Sequence, residues 1–136
     1  ALQLLFRVAR RTNELALERA SRELGFPVRA AHTSLLPHIS FTGTRQTEIA
    51  AKLGVSKQAV HKLVEELCGL GLLERVPDPE DARATLGRFS APGRASMARG
   101  IAVLEALEQE ALSPADAAAL RGLLVKVDAW LDEHPK

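Results

Sequence analysis

The chain has 136 residues, of which 46% are hydrophobic and 26% charged, and it carries a formal net charge of +1. This length fits one domain or a small dimerising unit, and the composition excludes a disordered tail and a membrane protein. The near-balance of charges excludes a histone-like polycation, but it leaves nucleic acid open as a partner because the placement of the charges decides. A single cysteine, Cys68, excludes a disulfide framework and favours a reducing, cytoplasmic setting.

Residues 1–43 predict two helices. Apolar residues at helical spacing indicate a first helix over 2–24, after which a glycine and a proline form a stop signal. The second helix is expected over 28–40, limited or kinked by Pro37. No charged residue occurs in 30–43, which favours burial of this stretch between units.

The next segment, 44–69, predicts a helix-turn-helix. Thr44 can cap a short first helix, and Gly54-Val55-Ser56 indicates a tight turn before a second helix that runs from Lys57 to about Gly69. We expect its inward face to consist of Ala59, Val60, Leu63, Val64 and Leu67, and its outward face of Lys57, Gln58, His61, Lys62 and Glu65.

A two-stranded wing is predicted after the helix-turn-helix. Residues 71–76 and 83–89 indicate its strands, because turn-forming and polar residues separate two stretches of strand-like sequence. Ser90 can then cap a helix that ends near residue 112.

The chain closes with a helix predicted over 114–133, capped by Ser113 and bearing an apolar stripe. The predicted fold is therefore mainly α with a two-stranded β-wing. A winged helix-turn-helix, 44–94, lies between helical segments 1–43 and 95–136. Because the flanking stripes would be exposed on a monomer, we expect these segments to pair in a symmetric dimer.

Three stretches of the middle segment form a signature. Gln46-Thr47-Glu48-Ile49-Ala50 and Leu53-Gly54-Val55-Ser56 belong to the helix-turn-helix, and Asp78-Pro79-Glu80-Asp81-Ala82-Arg83 completes the wing pattern Asp-Pro-x-Asp-x-Arg. In these stretches the chain resembles the multiple-antibiotic-resistance regulator (MarR) family. The resemblance implies a homodimeric transcription regulator that binds a pseudo-palindromic operator on double-stranded DNA, and we expect it to be a ligand-responsive repressor. It also implies that the helix 57–68 enters the major groove and that the wing, with Arg83, reaches the adjacent minor groove.

The residues themselves support such contacts. Gln58 can pair bidentately with adenine, and Lys57 can donate to guanine acceptors, because both lie in the first turn of the second helix. Arg83 can enter a narrow minor groove, or it can brace the wing by an ion pair with Asp81 or Asp78. The alternative for the helix is an ordinary solvated face. The candidate DNA-binding residues are Thr44, Arg45, Thr47, Ser56, Lys57, Gln58, His61, Lys62, Arg75 and Arg83.

A ligand pocket is a further expectation. Members of the family often bind small aromatic or acidic effectors, and the candidate walls here are Phe26, His32, His38 and Phe41, with plain core packing as the alternative. Two of these histidines are six residues apart with no carboxylate between them. We therefore expect no metal site and no cofactor.

Other classes of protein fit the sequence less well. No phosphate loop, nucleophile elbow or metal-ligand cluster is present, so we expect no enzyme and no catalytic residue. A winged helix used only for protein contacts would carry acidic or apolar residues on the outward face of its second helix. A redox- or metal-responsive regulator is a lesser alternative, since Cys68 is predicted to be a buried, inert thiol.

Overall fold

The computed structural model describes all 136 residues, in two units, Ala1–Ile101 and Ala102–Lys136. In chain order the elements are α1 (Leu2–Leu24), α2 (Ala30–Leu35), a 3-10 turn (Leu36–His38), β1 (Thr44–Arg45), α3 (Gln46–Leu53), α4 (Lys57–Gly69), β2 (Leu73–Asp78), β3 (Asp81–Phe89), α5 (Ala91–Ala111) and α6 (Pro114–Glu133). No helix combines the length and the hydropathy that a membrane-spanning segment requires.

The first helix has the predicted bounds, whereas the second is shorter than predicted. α1 stops at Gly25, whose left-handed backbone (φ 79°) lets its N–H bond the carbonyl of Ser21. The prediction of a helix over 28–40 is wrong in length, since α2 covers six residues and Pro37 lies in the 3-10 turn. A proline has no N–H to donate and clashes with the preceding turn, which ends the α-helical ladder there.

The helix-turn-helix forms as predicted except at its start. Thr44 does not cap α3, because it lies in β1 opposite Gly87, and the N-cap residue is Arg45. The turn is confirmed, since Gly54 has a left-handed backbone (φ 67°) and Ser56 Oγ accepts the Ala59 N–H at 3.1 Å.

The core of the first unit lies beneath α4. Val60, Val64 and Leu67 are fully buried there and pack with Leu35 and Ile49 in one cluster. One predicted inward residue of α4, Ala59, is exposed. The inner stripe therefore begins one residue later than predicted, and the first turn of α4 is left on the surface.

The wing contains three strands rather than two. Its order is β1-β3-β2, and both pairings are antiparallel. The added strand is β1, whose two residues directly precede α3. The first strand of the wing therefore leads into the helix-turn-helix with no loop between them. The strands also run further towards the tip than predicted, because only Pro79 and Glu80 form the turn.

Gly93 allows α5 to begin close against the backbone of Leu72, directly before β2. A Cβ at this position would lie 1.8 Å from the backbone oxygen of Leu72. We expect Gly93→Ala to lower the free energy of unfolding by about 1–3 kcal/mol, because backbone must move to admit the methyl group. Urea unfolding measures this effect.

Gly100 provides the matched control for that substitution. It lies in the same helix, and a Cβ there would meet nothing within 4 Å. Gly100→Ala is expected to raise stability by about 1 kcal/mol, as alanine does at open helical sites. If both variants unfolded like the parent chain, the close approach of Gly93 to Leu72 would have no energetic consequence.

The last helix of the second unit begins and ends as predicted. Ser113 Oγ accepts the Asp116 N–H at 3.1 Å, and Pro114 occupies the first turn. Its large apolar side chains are exposed: Leu120, Leu123, Leu124, Val125, Val127, Trp130 and Leu131.

Candidate nucleic-acid interface

The outward face of α4 is polar and exposed. Lys57, Gln58, His61 and Lys62 all lie on the surface, whereas Val60 and Val64 of the same helix are buried. His61 is bridged on both ring nitrogens: Nδ1 lies 3.2 Å from Gln46 Oε1, and Nε2 lies 3.2 Å from Glu65 Oε1. This helix therefore presents donors and cations where the sequence predicts contact with bases.

A cleft of about 300 Å³ lies where α3, α4 and the wing meet. It brings together four of the predicted DNA-binding residues from three parts of the sequence and adds three others. The cleft is lined by Arg45, Gln46, Thr47, His61, Arg75, Ala84 and Thr85. Gln46 is a cleft residue that the sequence did not single out. Its position next to the candidate Thr47, in the first turn of α3, could have indicated it.

The wing tip presents Arg83 to solvent. Its side chain is 95% exposed, and its Nε lies 3.8 Å from Asp81 Oδ1. The same carboxylate oxygen accepts the backbone N–H of Arg83 at 3.0 Å. Of the two partners predicted for this arginine, only Asp81 is nearby; Asp78 pairs elsewhere.

Asp78 pairs with Arg45 instead. Its Oδ2 accepts from Arg45 Nε at 2.5 Å, and its Oδ1 accepts the Glu80 N–H at 2.9 Å. The side chain is 5% exposed. The hydrogen bond from the Glu80 backbone, followed by the contact with Arg45, holds the pKa of Asp78 below its ordinary value.

Two further arginines occupy different parts of the wing. Arg75 lines the cleft, with its side chain 32% exposed and Nη2 3.9 Å from Glu65 Oε1. Arg88 donates to Glu74 across the β2–β3 ladder at 2.7 Å.

Thr44, a predicted DNA-binding residue, is buried, and its hydroxyl accepts the Ser40 N–H. It therefore does not belong to the exposed surface.

The sequence model of the MarR family matches residues 24–84, from the end of α1 through the helix-turn-helix and into β3. This span contains the exposed face of α4, the cleft and the wing tip. Over this span the chain is similar to the MarR family. No curated protein sequence matches it significantly.

Solved structures of MarR-family proteins share its fold. A MarR-family transcriptional regulator from Rhodococcus sp. RHA1 is 25% identical, with a TM-score of 0.68 over 91% of this chain and 89% of that chain. Apo MarR from E. coli is 24% identical, with a TM-score of 0.63 over 90% and 96%. A variant of S. aureus MepR bound to an oligodeoxyribonucleotide is 22% identical, with a TM-score of 0.62 over 96% and 98%.

The residues predicted to line an effector pocket make separate contacts in the structure. Phe26 packs on the core, and His38 is half-buried in the 3-10 turn. Phe41 is 60% exposed and lies against Phe89, with ring centroids 5.8 Å apart. His32 is buried. The pocket itself remains a prediction.

His32 belongs to a polar contact between α2 and α4. Its Nδ1 accepts the Arg29 N–H at 3.2 Å, so Nε2 carries the ring proton and faces Glu66 Oε2 at 3.2 Å. Arg29 also donates to Glu66. The bond from His32, and then that from Arg29, hold the pKa of Glu66 below its ordinary value of 4.5.

This lowered pKa predicts a pH-dependent contribution to stability. Because the unfolded chain binds the proton of Glu66 more readily than the folded one, the contribution is full above about pH 4.5 and is lost as the pH falls through the folded pKa. The melting temperature of Glu66→Gln should therefore lie below that of the parent near neutral pH, and the gap should close in acid. Glu108→Gln, on the exposed side of α5, controls for the loss of one charge. A gap that stays constant from about pH 7 to pH 3 would contradict the assignment.

Cys68 is half-buried rather than buried as predicted. It lies near the end of α4 and packs against the core cluster. Its place on the helix agrees with the prediction, and only the degree of burial differs.

Proposed function

We propose that this chain is a sequence-specific, DNA-binding transcription regulator that acts as a homodimer on a pseudo-palindromic, double-stranded operator. The observation that carries the proposal is the exposed polar face at the start of α4, on the same unit as the exposed guanidinium of Arg83. A helix and a neighbouring β-ribbon with such side chains match the major and minor grooves of one DNA half-site.

The residues divide between base and phosphate contacts. Lys57 and Gln58 lie in the first turn of α4, from which side chains reach base edges. The hydroxyl oxygen of Ser56 already accepts a backbone N–H, so its proton is free for a phosphate oxygen. Lys62 lies one turn along and suits the phosphate backbone. Arg83 suits a narrow minor groove, where the negative potential is enhanced.

The exposed apolar side chains support a homodimer. In α1 they include Leu2, Leu4 and Phe6. In α6 they form an apolar row on one side of the helix: Leu120, Leu123, Leu124, Val127, Trp130 and Leu131. Exposed apolar surface of this kind favours association, and closed two-fold pairing is its commonest form. A dimer reads two half-sites about one helical turn apart.

The regulatory role is part of the same proposal. We expect repression, relieved by a small aromatic or acidic effector that favours a dimer whose recognition helices are wrongly spaced for the operator. A coupling free energy of about 1–3 kcal/mol suffices for such control. Phe26 follows α1 and His32 lies in α2, and both stay candidates for contact with the effector, together with His38 and Phe41.

Selection of bound fragments from random DNA tests the function. The wild-type chain should enrich a pseudo-palindrome, and Gln58→Ala should relax base preference at one position per half-site at a cost of about 1–3 kcal/mol. Lys57→Ala should weaken binding, whereas Lys136→Ala, at the exposed C-terminus, should not. A chain that enriches no DNA would refute the proposal and favour a winged helix that contacts only proteins.

A further inference from the structure

The outer end of the wing is not held by a regular β-ladder. Pro77 pairs with Thr85, but the next residue, Asp78, pairs with Asp81. Residues 82–84 of β3 therefore have no partner in β2, and Arg83 lies in the middle of them. Because the ladder does not fix this segment, side-chain contacts must set the direction in which Arg83 points.

The carboxylate of Asp78 supplies the contact at the base of this segment. One oxygen accepts the backbone N–H of Glu80 in the turn at 2.9 Å, and the other accepts from Arg45 at 2.5 Å. The side chain is almost wholly buried. Since these bonds lower the pKa of Asp78, the carboxylate is ionised near neutral pH. A buried negative charge is stable only when it is paired, and the guanidinium of Arg45 is its partner.

The backbone of Arg45 is held by two secondary-structure elements. It pairs with Leu86 as the last residue of β1, and it is the N-cap residue of α3. Its side chain thus connects the helix-turn-helix to the turn of the wing. We propose that Arg45 is a positioning residue for DNA binding, which acts through Asp78 to hold Arg83 in the direction that reaches the minor groove.

This role replaces the phosphate contact that the sequence position of Arg45 predicts. The inference rests on the proposed function, because it concerns the same DNA-binding surface. A phosphate would have to compete for the guanidinium with a buried carboxylate that has no other cation within ion-pair distance. The two roles differ in one respect: a positioning residue loses its effect when Arg83 is absent, and a phosphate ligand does not.

A double-mutant cycle tests the inference. The probe is a double-stranded oligonucleotide that the wild-type chain selects from random DNA. Its Kd is measured for three single variants, Arg45→Ala, Asp78→Asn and Arg83→Ala. It is also measured for two double variants, in which Arg83→Ala is combined with Arg45→Ala or with Asp78→Asn. We expect Arg45→Ala and Asp78→Asn each to raise Kd about tenfold. Added to Arg83→Ala, neither should raise Kd further by more than about twofold.

A second readout separates positioning from general damage to the fold. Kd is also measured on a copy of the oligonucleotide in which the A·T pairs at the wing are replaced by G·C pairs. The wild-type chain should prefer the A·T form, and Asp78→Asn should reduce that preference, because Arg83 no longer points into the groove. A merely structural loss would weaken binding to both forms equally.

Each outcome decides the inference. If Arg45→Ala and Asp78→Asn cost tenfold with or without Arg83, Arg45 does not act through the wing and the inference is overturned, while the proposed function stands. If the wild-type chain selects no DNA, both fail. If circular dichroism shows that one of the two single variants does not fold, the other carries the same cycle, because Arg45→Ala removes the cation and Asp78→Asn removes the buried negative charge.

Discussion

DNA binding by the wild-type chain should weaken by a factor of about 10³ to 10⁵ when salt is raised from about 50 to 200 mM, because a protein that contacts roughly six to ten phosphates releases their counterions. Lys57, Lys62, Arg75 and Arg83 are exposed or lie on the cleft, and each brings a positive charge close to the phosphates whether it contacts a phosphate or a base; a dimer carries two copies of each. Fluorescence anisotropy at several salt concentrations gives the slope of log Kd against log salt.

Lys62→Ala should reduce that slope by about one for each protomer, since Lys62 is assigned to a phosphate. Lys136→Ala removes the same charge at the exposed C-terminus and should leave the slope unchanged. A slope near zero for the wild-type chain would show that few phosphates are contacted, and it would remove the electrostatic part of the proposed function.

Charges placed on the apolar row of α6 should abolish the proposed dimer. Leu123 and Leu131 are 61% and 52% exposed, and their spacing of eight residues places them on the same side of the helix. In Leu123→Glu/Leu131→Glu, dimerisation would bury four carboxylates without partners, each costing several kcal/mol. Sedimentation equilibrium should show a monomer, and DNA affinity should fall because one half-site alone is bound.

The control for this pair is Val125→Glu, which lies on the opposite side of α6 and is 53% exposed. It should remain dimeric. Trp130 offers a second measurement, since it is the one tryptophan in the chain and lies at the edge of the same row, stacked on His134 with centroids 4.1 Å apart. Its emission should shift to longer wavelength in the charged variant. A charged variant that stays dimeric would place the interface elsewhere.

The sequence correctly predicts the elements whose bounds depend on neighbouring residues alone. α1, α4 and α6 have the predicted bounds, because each combines an apolar stripe with a stop signal or a capping serine. The third strand of the wing was missed, since β1 has two residues and is too short to show an alternating pattern. Thr44 was misread as a helix cap for the same reason: its extended backbone serves either role until a partner strand is known.

The contacts that sequence reasoning missed join residues far apart in the chain. Arg45 and Asp78 are 33 residues apart, and His32 and Glu66 are 34 apart. No spacing rule within one helix or hairpin connects such pairs. The exposed face of α4 was predictable because a helix places residues by a fixed rotation, whereas the cleft depends on how α3 and the wing meet it. DNA contact by these residues stays a prediction.

The break in the ladder at Pro77 also bears on how this protein can be engineered. Because residues 82–84 of β3 oppose nothing in β2, adding or removing residues there leaves the pairing from Leu73 to Pro77 intact. The reach of the wing can therefore be changed without repacking the core. The same place suits a fluorophore or crosslinker, which would report the approach of DNA from a position that the folded interior does not use.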